Sequence, residues 1–473
     1  MNIKKLAIAG IFLISPYVIS NYLVFVFLVP ALYMLYTGTG IKNIHLVLFV
    51  FFLACAVLFP VAAYDASAYV LGILIVTVFV STFLIGSAKL ITRFKDTAFS
   101  TFIPCVIWTL LLYLLNFRSL AVSAFDVGIL FPISAPLIWV TGSIGLTTLI
   151  ILFNSAAARY LAKRDGFSLT IAVLLLSVFL VSYLYSITRS PEHLYASEGS
   201  RKIALIQGDV PRKSIFGYTE RLTERINKYV NISEKAVKQK ADLVVWPEFT
   251  LPVDVMNRFP EKMKPITDEI KKSGTGFVIG SMLTDPDNKE YNYNTALIFG
   301  RDGAIEDIYY SQEPAIFNRG IRSRENNGKL YLGKAGITLC WEETSERIFR
   351  NYVLDGAEYF ISLSSNTDLD YSWFKRYASF FSRARAAESM RYLARTTQTG
   401  VTQIIDPFGR VIEKIPSGRS AFLVGRITYL SEKTFYSKYG DVFVKVFILF
   451  AVIAVFIEEL KRFRSKLAVA KTD

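Results

Sequence analysis

Apolar and polar positions divide the chain into two regimes. Up to about residue 190 the apolar residues run almost unbroken, in stretches near 4–19, 21–37, 43–63, 67–88, 99–116, 130–154 and 168–187. One more such stretch covers 441–459. A membrane span needs about 20 mostly apolar residues, so this pattern predicts eight spans. No small-residue cleavage site follows the first stretch and a second begins at once, so we read it as a retained helix rather than a signal peptide. From about 200 to 430 short apolar runs alternate with amphipathic segments. Strands are predicted at 202–207, 243–246, 276–280, 294–299, 305–310, 334–340, 359–363 and 400–405. Helices are predicted at 218–240, 258–272, 344–354 and 373–393, with turns at Asp302-Gly303 and Asp406-Pro-Phe-Gly409. Strands alternating with helices, with hairpins at the edges, predict an α/β layered sandwich. The expected organisation is a transmembrane bundle at 1–190, an α/β domain at 198–430, and a last span with a basic tail at 438–473.

Charge adds a direction. Lys4 and Lys5, Lys42, the group Lys89, Arg93 and Lys95, the group Arg159, Lys163 and Arg164, and the tail Lys461, Arg462, Arg464 and Lys466 all fall on one side of an eight-span arrangement. Basic loops stay in the cytoplasm, so the α/β domain is expected outside. The formal charge of +14 and the mean hydropathy of +0.38 fit this topogenic use of lysine and arginine. No nucleic-acid-binding module is visible, so no nucleic-acid partner is expected. Of three cysteines, Cys55 and Cys105 lie in predicted spans and Cys340 stands alone in the outer domain. The two histidines, His45 and His193, rule out a Cys-His dyad in that domain and a histidine-rich zinc site.

Three segments carry candidate chemistry. In Val244-Val-Trp-Pro-Glu248 an apolar strand meets a proline and presents a carboxylate at the strand's C-terminal end, where sites in α/β sheets gather. A helix cap would use the same glutamate. In Ile337-Thr-Leu-Cys340-Trp-Glu342-Glu343 a thiol stands where a strand turns into a helix, a place that exposes a nucleophile and offers free N–H groups to an oxyanion. A packed core cysteine is the other reading. Ser364-Ser-Asn366 is a polar strand end leading to Trp373-Phe374 and a helix with Arg383, Arg385 and Glu388.

Together with Ala204-Leu-Ile-Gln-Gly208, Tyr293-Asn-Thr-Ala296, Asp355-Gly-Ala357, Arg385-Ala-Ala-Glu388, Thr399-Gly-Val-Thr402 and Phe435-Tyr-Ser-Lys-Tyr-Gly-Asp441, these segments resemble the nitrilase, or carbon-nitrogen hydrolase, superfamily, and within it the apolipoprotein N-acyltransferase family. The resemblance covers nearly the whole chain. It implies a nitrilase-like sandwich on the periplasmic side of the bacterial inner membrane. It implies Glu248 as general base and Cys340 as a nucleophile that takes an acyl chain from a phospholipid and yields it to the N-terminal amine of a diacylated lipoprotein. Dividing the transfer through a thiol turns one hard step into two easier ones. Glu342 joins the expected catalytic set, and Trp246, Trp341, Asn366 and Trp373 the expected substrate contacts. No metal and no other cofactor is implied.

The family's lysine falls at Ser311, in Tyr309-Tyr-Ser-Gln-Glu-Pro-Ala-Ile-Phe317-Asn-Arg319, and its loop glutamate falls at Arg319. No lysine occurs between Lys289 and Lys329. Loss of such a cation costs about 3–4 kcal/mol of barrier. Arg319 is therefore the candidate substitute cation. The alternative is a relative without catalysis that binds lipid or lipoprotein, or scaffolds a membrane partner.

Overall fold

The computed structural model describes residues 8, 9, 12, 13, 16, 19–38, 66–95, 97–116, 125–191, 196–210, 221–314, 320–326, 329–367 and 372–469. The apolar stretch at 43–63, most of the first stretch, Cys55, both histidines and Arg319 lie outside them. In the apolar region helices form at Val29–Tyr36 (α1), Ala66–Arg93 (α2), Ile103–Asn116 (α3), Leu137–Lys163 (α4) and Gly166–Thr188 (α5). Among the described residues, α4 and α5 are long and apolar enough to cross a membrane, fewer than the eight spans expected. The stretch expected at 130–154 is also displaced. Val127–Leu130 is a 3₁₀ turn and the helix begins only at Leu137, because Pro132 and Pro136 lack the N–H groups a continuous helix needs. Asp165 caps α5 by accepting from the Ser168 N–H at 3.0 Å. Leu174, Leu176 and Val181 on α5 are exposed, an apolar surface that suits lipid.

The α/β domain follows. Its elements are β1 (Ala196–Gln207), α6 (Leu222–Val237), β2 (Leu243–Leu251), α7 (Lys264–Ser273), β3 (Gly276–Thr284), β4 (Asn292–Phe299), β5 (Ile305–Tyr310) and β6 (Ile321–Arg322). They continue with β7 (Ala335–Leu339), α8 (Glu346–Leu354), β8 (Tyr359–Ser364), α9 (Ser372–Ser389), β9 (Tyr392–Thr397), β10 (Thr402–Ile405), β11 (Val411–Ile415) and β12 (Ala421–Leu430). After them come α10 (Phe435–Tyr439) and α11 (Val442–Val469). One sheet runs β12-β1-β2-β3-β4-β5, with β6 paired to β4; the other runs β11-β10-β9-β8-β7. The pairs β1–β2, β2–β3, β7–β8 and β8–β9 are parallel.

Alternation along each strand builds the layers. Ile203, Leu205 and Val245 of the first sheet and Ile337, Ile361 and Leu393 of the second share one core between the sheets. Ala204, Ile206, Val244 and Trp246 face the other way and pack with Leu222 and Ile226 of α6 and Ile266 and Ile270 of α7. Phe349 of α8 meets Phe360 of β8 edge to face, with ring centroids 4.9 Å apart. The result is an α-β-β-α sandwich. The helix expected over 373–393 ends at Ser389, and β9 takes its last residues. Arg395 makes that strand look exposed in sequence, as does Arg391 just before it, yet both are fully buried with their guanidinium groups bonded.

α9 joins the two parts of the chain. Its Ala386 belongs to the core between the sheets, while Tyr377, Phe380, Phe381, Ala384 and Ala387 pack into the core of the apolar helices. The Asp406–Gly409 turn adds a second attachment. Phe408 lies against Trp139 of α4 at 5.6 Å and Tyr185 of α5 at 6.2 Å, and Arg410 donates to the Arg189 carbonyl at 3.0 Å.

Candidate active site

Glu248 sits in a bulge of β2. The strand pairs with β3 as far as Trp246 opposite Ile279 and resumes at Leu251 opposite Ser281, so residues 247–250 stand opposite Gly280. The strand therefore continues past Pro247 instead of ending there, since a bulge tolerates a residue without a donor. Gly280 makes room: a Cβ there would lie 2.3 Å from the Pro247 carbonyl oxygen and 2.6 Å from the Glu248 Cα. Phe249 takes a left-handed φ of 55° to complete the bend. Glu248 is fully buried, with Oε1 accepting from the Asn294 side-chain amide at 2.7 Å. Gln398 holds its main chain by donating to the Glu248 carbonyl at 3.1 Å.

Cys340 stands between β7 and the 3₁₀ turn Cys340–Thr344, partly exposed, with a φ of 52°. A left-handed residue other than glycine is strained and persists only where its surroundings hold it. Glu342 and Glu343 supply that hold. Glu342 is fully buried and accepts from the Leu339 N–H at 2.7 Å, the Tyr309 hydroxyl at 2.7 Å, the Gln312 N–H at 2.6 Å, the Glu313 N–H at 3.2 Å and the Ser311 hydroxyl at 3.1 Å. Burial pushes its carboxyl above the usual carboxylate range, against the pull of the Tyr309 hydroxyl and those N–H groups. Glu343 accepts from the Arg395 guanidinium at 2.9 Å and from the hydroxyls of Ser362 at 2.5 Å and Ser364 at 3.1 Å. Arg395 also donates to the Asn366 side-chain oxygen at 2.9 Å, and Asn366 is itself left-handed with a φ of 55°.

A run of bonds connects the two candidate groups. The Ser311 N–H donates to the Asn294 carbonyl at 2.8 Å, while the Ser311 hydroxyl reaches Glu342, two residues past Cys340. Glu248, Asn294, Ser311, Glu342 and the cysteine turn therefore lie along one path. Trp341 is partly exposed beside Cys340. Trp246 does not face the site. It is fully buried, donates to the Ser233 hydroxyl at 2.8 Å and packs on Tyr229 and Phe277, because strand alternation turns it toward the helices. The side chain of Trp373 and all of Arg319 lie outside the described residues. Lys334 bonds Glu358 at 2.9 Å.

Asn294, Gln398, Arg395 and Gly280 are the site-forming residues that the motifs did not single out. Asn294 lies in Tyr293-Asn-Thr-Ala296, a segment read for its resemblance and not for a partner of Glu248. Gln398 adjoins Thr399-Gly-Val-Thr402 in the same way.

Residues 202–429 match the family model described as carbon-nitrogen hydrolase, which defines the α-β-β-α domain as a member of that superfamily. Three curated relatives narrow the assignment. An apolipoprotein N-acyltransferase of Geobacter metallireducens is 27% identical over 344 residues, 64% of this chain and 63% of that protein. Those of Thermotoga maritima and Vibrio parahaemolyticus are 24% identical over 354 residues and 25% identical over 332, covering 69% and 63% of this chain and 64% and 63% of those proteins. The chain is similar to these apolipoprotein N-acyltransferases, and the matches span just under two thirds of the length of these relatives.

Proposed function

We propose that this chain is a membrane acyltransferase that moves an acyl chain from a phospholipid, through a thioester on Cys340, to the N-terminal amine of a diacylated lipoprotein. The observation that carries the reading is the placement of Cys340 on a strained strand-to-helix turn connected by hydrogen bonds to the buried Glu248. Glu248 would take the thiol proton as sulfur attacks the ester carbonyl, then return it to the departing lysophospholipid oxygen. In the second half the amine attacks the thioester, its proton passes to Glu248, and the thiol reforms. Neither half consumes ATP, and neither calls for a metal. Arg319 is the proposed substitute for the lysine absent at Ser311, and Glu342 anchors the turn and the Ser311 loop together. The bundle would carry eight spans in the bacterial inner membrane, with the α/β domain outside.

A second reading has its own support. Ser311 offers Glu342 a neutral hydroxyl where the family places a cation, which suits a relative that binds lipid or lipoprotein without catalysis. Intact-mass spectrometry of the purified chain with phospholipid separates the two. A transferase gains one acyl mass, lost in Cys340→Ala and slowed in Glu248→Gln. Phospholipid binding without an adduct supports the second reading. Reporter fusions test the topology: after residue 195 an extracytoplasmic signal is expected, and after 466 a cytoplasmic one.

A further inference from the structure

A buried charged cluster lies where the α/β domain meets α4, and the proposed acyl transfer makes no use of it. Gly142 breaks α4: its φ of 65° and ψ of −179° are not helical, and a Cβ there would fall 2.4 Å from the Tyr436 ring. Ser143 therefore opens a second half-helix, whose first N–H groups have no acceptor within it. The Ser143 N–H donates instead to Glu388 Oε1 at 2.6 Å, across from α9. Arg385 lies on the same side of α9. It donates to the Ser143 hydroxyl at 3.0 Å and lies 3.2 Å from Glu388 and 3.3 Å from Glu346. The Ser143 hydroxyl in turn donates to Glu346 at 3.4 Å. From α10's cap, the Thr434 hydroxyl holds the Glu388 carbonyl at 2.7 Å.

Arg385 and Glu388 are almost wholly buried. Buried ion pairs add little over packed apolar residues, so stability alone is a poor account of this cluster; fixing a register is the better one. The register reaches the nucleophile. Glu346 opens α8 directly after the Cys340–Thr344 turn, and Thr344 lines one small cavity with Asp126 and Ile144 from the apolar side.

We infer that Glu388 and Arg385 are positioning residues that clasp the broken α4 through Ser143 and Glu346, and so set the Cys340 turn relative to the membrane helices. The consequence for catalysis rests on the proposed acyl transfer: an ester held in a bilayer must meet Cys340 at a set depth, whereas a soluble ester need not.

Hydrogen exchange on the full chain in lipid nanodiscs tests the clasp without relying on activity. In Glu388→Ala the amides of 143–147 and 340–346 should exchange together, about tenfold faster, while β8 stays within about twofold. Glu388→Gln keeps an acceptor for Ser143 and should remain near the native rates. Acceleration confined to 143–147 would overturn the coupling, and acceleration that includes β8 would show a general folding role instead. The catalytic arm compares phospholipid with a short soluble p-nitrophenyl ester. Glu388→Ala should slow the Cys340 adduct from phospholipid about tenfold or more and leave the soluble ester nearly unaffected, as expected for misplacement. Equal loss with both overturns the inference. A native chain that forms no adduct refutes acyl transfer, and hydrogen exchange then decides the clasp alone.

Discussion

The Asn294 side-chain amide donates to Oε1 of Glu248 at 2.7 Å, so the carboxylate in the β2 bulge is oriented by a residue from β4, two strands away in the same sheet. A base works only where its lone pair is aimed, and under the proposed mechanism this bond would aim it. Asn294→Ala should therefore slow alkylation of Cys340 by iodoacetamide about as much as Glu248→Gln does. Mass-spectrometric labelling rates for Cys340 and Cys105 in the same sample check this. Unchanged Cys340 labelling in both variants would mark an exposed thiol and no more, because reactivity follows the thiolate.

Glu342 gathers five donors, and removing it strands several of them in a dry interior. Buried unsatisfied donors cost about 1–3 kcal/mol each. Glu342→Ala should lower the thermal unfolding midpoint clearly, and Glu342→Gln less so, because its amide oxygen still accepts. Equal midpoints for the native chain and Glu342→Ala would contradict the anchoring role.

Ser311→Lys would place an ammonium beside Glu342. If the proposed chemistry is held back by the missing cation, the Cys340 adduct should form faster by about tenfold or more, within the range one oxyanion-stabilising group supplies. Timed intact-mass spectra give the rate. No adduct from either chain favours the binding reading.

Gly280→Ala tests the bulge. The added methyl would meet the Pro247 carbonyl at 2.3 Å, so the main chain carrying Glu248 must shift. We expect a loss of about 1–3 kcal/mol in stability, with Cys340 labelling slowed as in Glu248→Gln. A wild-type labelling rate in a folded Gly280→Ala chain would show that the bulge does not set the base.

Glu388 gives a pH dependence. Burial pushes its carboxyl from 4.5 up to about 7, against the pull of Arg385 and with a further push from Asp126. Glu346 also faces Arg385. Between those two values the folded chain holds a proton that the unfolded chain has lost, so stability should fall as pH rises from 4.5 to 7. Glu388→Gln removes this titration and should flatten that part of the curve. Denaturant midpoints measured across the window provide the check.

Much of the domain was legible from pattern alone. Short apolar runs marked β2, β3, β4 and β8, and the proline after Trp246 and the turn at Cys340 marked the candidate chemistry, because local hydrophobicity and turn residues govern those features. Arg395 hid β9, since charge in a strand reads as exposure unless the partner is known, and the partner of Arg395 is Glu343, 52 residues earlier. Trp246 read as a substrate contact because its place beside Glu248 in the chain does not say which sheet face it takes. Asn294 beneath Glu248, Ser311 on Glu342, and Glu388 on the Ser143 N–H each join residues distant in sequence and close only after the sheets and α9 have packed. Sequence by itself determined which segments could be strands, helices or spans and which side chains could react. Tertiary structure alone decided which buried charge meets which partner, because burial makes an unpaired polar group costly and only packing brings its partner within reach.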